Sequence, residues 1–387
     1  MGLQALSRRL TITVPSLSLG GAEGVAAMMA NHWAKQGHTV TLITLDSKET
    51  DSFSLDAVVQ RIALNLMQDS GNLFQAVSNN RLRINYLQSA IADSQPDAVI
   101  SLTDRMNVLT LLATGKLRCP VIISERSDPR HHPIGRLWSF LRKRTYPRAY
   151  ALVVQTQGVA DFCRQWLKST QIEVIPNAVP LPRSPEVPAV SRETLEVRTR
   201  VKIVLGMGRL SHEKGFDLLI EAFSRVASEF PDWKLQISGE GPLRESLQQQ
   251  INHLGLQEQI DLPGWTSQPE LQLDQGDFFV LPSRYEGFPN ALLQAMSRGL
   301  ACISFDCESG PAEIIQSETD GLLVPAGSVS ELAQALKRLM GDDSLRRRLA
   351  VEALQITERF SAEAYFQHWK QLIGQAITES ETACNNT

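Results

Sequence analysis

Short runs of Val, Ile and Leu alternate with amphipathic stretches through most of the chain. In the first half the runs are Leu10–Val14, Thr39–Thr44, Ala98–Leu102, Val121–Ser124, Ala151–Gln155 and Ile172–Ile175. In the second they are Lys202–Gly206, Lys234–Ser238, Gln259–Leu262, Phe278–Leu281, Ala301–Phe305 and Gly321–Val324. Nearly continuous apolar runs of this length suit parallel strands that are buried on both faces. Between them Glu23–Gln36, Phe216–Glu229 and Leu243–Leu254 carry the spacing of amphipathic helices. The alternation predicts an α/β fold of parallel sheets with right-handed crossovers.

The pattern breaks once. Residues 180–188 hold four prolines, Pro180, Pro182, Pro185 and Pro188, which exclude helix and central strand and predict a stiff connector. The reading is a first domain at residues 1–178, a linker at 179–200, a second domain at 201–358 and a C-terminal segment at 359–387. Helices are expected at about 330–340 and 343–357, with a last one over Ala362–Ala376 and a frayed polar tail from Thr378. A chain of 387 residues exceeds one compact core, so two domains fit its length as well as its pattern.

Composition changes the picture little, and charge changes it more. Hydrophobic residues at 43% and charged ones at 21% are ordinary for a globular protein. No apolar run approaches the ~20 residues that span a bilayer, and Leu10–Val14 is too short for a secretory signal. Gly2 lacks the Ser or Thr at position 6 that myristoylation needs, since Leu stands there. The five scattered cysteines form no C-x-x-C pair and read as free thiols of a cytoplasmic protein. Lys and Arg number 19 against 13 Asp and Glu up to residue 180, and 19 against 29 beyond it. Much of the positive excess falls between Arg126 and Arg148, which bears on partners rather than on fold. No nucleic-acid partner is expected.

Candidate chemistry clusters after the strands. Ser18-Leu19-Gly20-Gly21-Ala22-Glu23 joins the first strand to a helix, where Gly20 and Gly21 let bare N–H groups approach an anion such as a diphosphate. It is not G-x-G-x-x-G, which counts against a nicotinamide oxidoreductase. Arg209 and Lys214 lie five apart on the Gly-flanked loop after Lys202–Gly206, so both can turn toward one anionic group. Ser283-Arg284-Tyr285-Glu286-Gly287-Phe288-Pro289-Asn290-Ala291 again follows a strand and opens a helix. Pro289 suits a helix start, and the free N–H groups of Phe288 to Ala291 offer an anion site. Glu286 cannot serve a phosphate but can accept hydrogen bonds from sugar hydroxyls. Gly239-Glu240-Gly241-Pro242 repeats the strand–turn–helix plan.

Taken together, G-G-A-E near the start, G-R-L-x-x-E-K-G-F, G-E-G-P, P-S-x-x-E-G-F-P-N-x-L-L and D-C-x-x-G-P-x-E-I-I resemble retaining glycosyltransferase family 4. The resemblance spans nearly the whole chain and is strongest over residues 203–325. It implies the GT-B fold, two facing Rossmann-like domains with a C-terminal crossover helix and the active site in the cleft between them. It also implies a nucleotide-diphospho-sugar donor, UDP-linked by expectation, held mainly by the second domain, with no cofactor and no required metal. Gly239, Glu240, Phe288, Pro289, Asn290, Ala291 and Gln294 would then hold the donor, together with Gly20 and Gly21. Arg209 and Lys214 would stabilise the leaving diphosphate, and Glu286 would orient the sugar. One departure stands out: the family's E-x-x-x-x-x-x-x-E motif begins at Glu286 but ends on Gln294, which keeps one acceptor oxygen and loses the charge. An epimerase on the same fold, or a catalytically silent binding subunit, is the alternative reading.

The stretch Arg126–Arg148 bears on the acceptor. Ile134, Leu137, Trp138, Phe140 and Leu141 fall near one helical face among Arg126, Arg130, Arg142, Lys143 and Arg144, with His131 and His132 beside them. Such a segment reads either as a membrane-interface or lipid-diphosphate contact or as an ordinary packed helix. Ser124 to Ser127 and Gly310 to Ile315 resemble transferases that extend undecaprenyl-diphosphate-linked oligosaccharides, and the expectation is a cytoplasmic protein that docks peripherally on the inner face of the cytoplasmic membrane.

Overall fold

The computed structural model describes residues 7–18, 20–67, 71–179 and 201–385. The chain divides into two compact units, Met1–Ile175 with Phe366–Thr387, and Pro176–Tyr365. The proline-rich connector lies outside the described residues.

The first unit runs β1 (Arg9–Val14), α1 (Gly21–Lys35), β2 (Thr39–Thr44), β3 (Gln60–Ala63), α2 (Leu73–Ser94), β4 (Ala98–Leu102), α3 (Asp104–Ala113), β5 (Val121–Ser124), α4 (Arg136–Thr145), β6 (Ala151–Val154), α5 (Gln157–Trp166) and β7 (Gln171–Val174). The strands are parallel in the order β3-β2-β1-β4-β5-β6-β7. The second unit runs β8 (Lys202–Met207), α6 (Phe216–Ser224), β9 (Trp233–Ser238), α7 (Arg244–His253), β10 (Ile260–Gly264), α8 (Pro269–Leu273), β11 (Phe278–Leu281), α9 (Asn290–Ser297), β12 (Ala301–Asp306), α10 (Pro311–Ile314), β13 (Leu322–Pro325), α11 (Val329–Gly341), α12 (Asp343–Ala353) and α13 (Ile356–Arg359). Its parallel order is β10-β9-β8-β11-β12-β13. The last helix, α14 (Ala362–Asn385), starts among the residues of the second unit and from Phe366 onward belongs to the first.

In each sheet the order reverses beside its first strand, the doubly wound plan that leaves ligand sites at the carboxyl ends of the strands. Both sheets are buried as the runs of Val, Ile and Leu require: Ala98–Leu102 and Phe278–Leu281 are buried at every position. In the first unit α2, α3, α4 and α5 share one core on the sheet face given by Ile43, Val99, Val121, Ile123, Leu152 and Val154.

Several elements depart from the sequence reading. β3 is an edge strand, Gln-Arg-Ile-Ala, exposed or half-buried throughout, so it has no apolar run to betray it. The sequence pattern shows no helix over the 22-residue α2, because its apolar residues are spread around the helix. The helix expected over Phe216–Glu229 ends at Ser224. The one expected over 343–357 is split into α12 and α13. The tail expected to fray is helical to Asn385. Buried Ala376 and Ile377, and an ion pair of Glu381 with Arg8 at 2.8 Å, hold it.

Candidate active site

The loops after β8, β9 and β11 of the second unit are drawn together first by close backbone approach. Gly239 lies so close to the carbonyl of Gly208 that a Cβ there would overlap it. Its neighbour Glu240 receives the N–H of Leu210 on its backbone oxygen at 2.9 Å, while its exposed carboxylate pairs with Arg244 at 3.0 Å. Gly215, at φ +65°, closes the short turn His212–Lys214 and packs against the carbonyl of Pro282, where a Cβ would also overlap. Left-handed backbone without a side chain is the one way to seat that turn on the β11 loop.

This seating makes the central contact of the site. Lys214 Nζ lies 2.7 Å from Glu286 Oε1, joining residues 72 positions apart. The same oxygen accepts the Ser283 hydroxyl at 2.6 Å, and Glu286 is buried to 7% exposure. The other oxygen, Oε2, takes no donor among the described residues. A buried carboxylate with one oxygen neutralised and the other open is poised to accept a ligand hydroxyl. Arg209 is exposed, and its guanidinium makes no hydrogen bond or ion pair among the described residues.

Residues singled out for no role hold this arrangement. Arg284 pairs with Asp217 at 2.6 Å in a two-nitrogen fork and donates to the carbonyl of His212 at 2.7 Å. Its own N–H reaches the carbonyl of Glu213 at 2.8 Å. Partial burial pushes the Asp217 carboxyl up, but the Arg284 hydrogen bonds and charge, joined by the backbone N–H groups of Asp217 and Leu218, together hold it below the usual range. Arg284 thus staples the β11 loop to the turn that carries Lys214. Its place beside Glu286 in the motif was the available signal, but its partner Asp217 was not legible.

At the start of α9, Pro289 is the residue before the helix rather than its first. Asn290 turns its N–H back to the Phe288 carbonyl at 3.0 Å, which uses one of the expected donors. The N–H groups of Phe288 and Ala291 have no acceptor among the described residues. Asn290 Oδ1 accepts from Asn177 at 2.8 Å, and the Phe288 ring is buried against Phe360. Gln294, one turn beyond Asn290 and on the same side of the helix, is half-buried with an uncommitted amide among the described residues.

The first unit is more mixed. Gly20 and Gly21 stand at the start of α1 as expected, but the Glu23 carboxylate lies over Gly20, and a Cβ there would overlap it. Burial lifts the Glu23 carboxyl above its usual range. In the basic stretch, Arg130 is bound to buried Asp128 at 2.6 Å, and Arg126 reaches Ser124 at 3.4 Å. His131 sits 3.6 Å from Asp128, and His132 sits 3.4 Å from Asp104.

Arg142 is not on the outer face at all. It is 8% exposed and bound to the buried carboxylate of Glu125 at 3.2 Å, which also accepts Tyr146 Oη at 2.5 Å. Burial pushes the Glu125 carboxyl up to about 7 against the pull of Arg142. Trp138 and Leu141 likewise turn inward against the core, and Ile134 is buried. What faces outward is Arg136, Leu137, Phe140, Lys143 and Arg144. The expected apolar face is therefore two half-faces, because residues adjacent in a helix point apart.

Comparison with known proteins places this geometry. Residues 19–183 match the family model described as Glycosyltransferase Family 4, and residues 189–355 match Glycosyl transferases group 1. An N-acetyl-D-galactosaminyltransferase of Campylobacter jejuni, named for GalNAc-alpha-(1->4)-GalNAc-alpha-(1->3)-diNAcBac-PP-undecaprenol, is 26% identical over 95% of this chain and 98% of its own. The lipopolysaccharide core biosynthesis glycosyltransferase LpsE of Rhizobium meliloti is 30% identical over 62% of this chain and 69% of its own. A TarM mutant of S. aureus, solved with UDP among its ligands, superposes with a TM-score of 0.76 at 15% identity over 95% of this chain and 99% of that one. Two doubly wound sheets, the loops gathered at their carboxyl ends and these matches leave one assignment: the chain is a glycosyltransferase of family 4 with the GT-B fold.

Proposed function

We propose that the protein transfers a hexose or N-acetylhexosamine, with retention, from a UDP-linked donor to a lipid-diphosphate-linked glycan in bacterial glycoconjugate synthesis. The observation that carries the donor half is the Lys214–Glu286 contact at 2.7 Å, with Arg209 exposed on the same loop as Lys214. In this reading the bond from the sugar C1 to the diphosphate oxygen breaks as the acceptor oxygen bonds C1 on the same face. The acceptor's proton passes to the departing phosphate. Arg209 and Lys214 neutralise the growing charge, a role that needs no metal ion, and electrostatic stabilisation of this kind is the largest lever available to such a site. Glu286 Oε2 accepts a sugar hydroxyl, and the N–H groups of Phe288 and Ala291 hold sugar or phosphate oxygens.

Support for the acceptor half comes from the Campylobacter relative, whose name specifies a PP-undecaprenol-linked glycan. Among the described residues no helix is long and apolar enough to cross a membrane. Peripheral docking at the inner leaflet through the outer edge of α4 (Arg136, Leu137, Phe140, Lys143 and Arg144) suits such an acceptor. Incubation with a panel of nucleotide sugars, with and without a lipid-diphosphate glycan, should give acceptor-dependent UDP release. Release that ignores the acceptor, or no release from any donor, overturns the reading.

Gln294 offers a finer check. If its amide meets the nucleotide ribose, Gln294→Glu restores a charged acceptor and should tighten UDP binding roughly fivefold, about 1 kcal/mol. Glu286→Gln should instead lower turnover with little change in UDP affinity. Calorimetric titration of UDP into both variants decides it, and unchanged affinity in Gln294→Glu removes the ribose role.

A further inference from the structure

The exposed apolar side chains are unevenly placed. Of the twelve large ones that stand out in solvent among the described residues, eight belong to the first unit, and six of these lie on two helices: Phe74, Val77, Leu82 and Tyr86 on α2, Leu137 and Phe140 on α4. Phe74 is 90% exposed and Val77 65%. Along α2 the exposed apolar positions stand three, five and four residues apart and spread over the outer side of the helix, while Leu87, Ala90 and Ile91 face the core. A helix that carries apolar side chains on its outer side as well as its inner one has a surface to cover.

Charge identifies what covers it. The exposed ionisable residues of α2, α3 and α4 are Arg81, Arg105, Arg136, Lys143 and Arg144 against one acid, Asp93, in the last turn of α2. Arg81 stands exposed on the same outer side of α2, next to Leu82. The three helices pack on the same face of the sheet, with α3 in contact with both α2 and α4, so the outer sides of α2 and α4 look out on one side. Aromatic and aliphatic side chains interleaved with cations, and almost no carboxylate, match an anionic lipid leaflet: the rings and Val77 enter the acyl boundary, and the guanidinium groups stay at the phosphates.

We propose that α2 is a second lipid-docking element, which together with the outer edge of α4 seats the first unit on an anionic membrane by two helices rather than one. This rests on the lipid-linked acceptor reading but is tested apart from it. The full chain is floated with vesicles of phosphatidylcholine alone or mixed with phosphatidylglycerol, at low and high salt. Wild type should float with the anionic vesicles at low salt and be released by high salt. Phe74→Ser with Val77→Ser should weaken that partitioning at least tenfold, whereas Trp265→Ser, an exposed aromatic of the second unit, should not change it. Transfer to a short-chain, water-soluble lipid-diphosphate acceptor should be the same in the double variant as in wild type. Wild type that ignores anionic vesicles, or a double variant that floats as wild type does, overturns the proposal. So does lipid-free self-association that the double variant abolishes, because the outer side of α2 is then a face for a second copy. Failure of wild type to transfer to any acceptor would count against the transferase reading alone and leave the flotation result standing.

Discussion

Arg209→Ala is expected to lower turnover about a hundredfold, a loss of ~3 kcal/mol of transition-state stabilisation, while its unfolding curve overlays that of wild type. The contrast arises because the Arg209 guanidinium is exposed and holds nothing in place among the described residues. Lys214→Ala should lose a similar factor in rate but also lose stability. Its ammonium neutralises Glu286, which is 7% exposed and would be left with the Ser283 hydroxyl alone. Turnover with saturating donor, set beside thermal unfolding of each variant, separates the two effects. Near-wild-type turnover in both variants removes the assignment of the leaving-group charge to this loop.

Arg142→Ala should destabilise the first unit by about 3 kcal/mol, the lower end of the cost of breaking a buried ion pair. The lower end applies because Glu125, already lifted to about 7, can take up a proton once its partner is gone. Lys143→Ala and Arg144→Ala, on the exposed side of the same helix, should each stay within ~0.5 kcal/mol of wild type. Denaturant unfolding of the three single variants measures this directly. Equal effects across the three would mean that the Glu125–Arg142 pair contributes nothing to the fold. The same contrast governs how membrane contact is probed: a triple alanine substitution over 142–144 would destabilise the first unit through Arg142 and confound the surface contact it meant to test.

The strands were legible because both sheets are buried on both faces, so that Ala98–Leu102 or Phe278–Leu281 reads as apolar without reference to anything distant. β3 was not, since an edge strand of Gln60, Arg61, Ile62 and Ala63 is exposed or half-buried and has no need of a continuous apolar run. α2 hid for the opposite reason: with apolar residues spread around the helix, no single helical face stands out. In the site, residue types and loop positions were readable, but pairings were not. Lys214 meets Glu286, Arg284 meets Asp217 and Arg142 meets Glu125 across separate loops and helices. Each of these contacts fixes whether a charge is free for a ligand or already used. Arg142 and Arg209 look alike as letters and differ entirely in that respect.

The division of α14 has a consequence for synthesis. Phe366 stacks on the ring of His32 at 3.5 Å, and Trp369, Leu372, Ile373 and Ala376 are buried in the unit whose strands run from Arg9 to Val174. A ribosome working at about 5–20 residues per second makes those strands first and the helix that covers them on the order of 10 s later or more. Throughout that interval the nascent first unit holds Trp33 and the α1 face without their cover, while the whole second unit emerges and can close its own sheet. The domain begun first is thus completed last, and the exposed α1 surface is where chaperone binding during translation should concentrate.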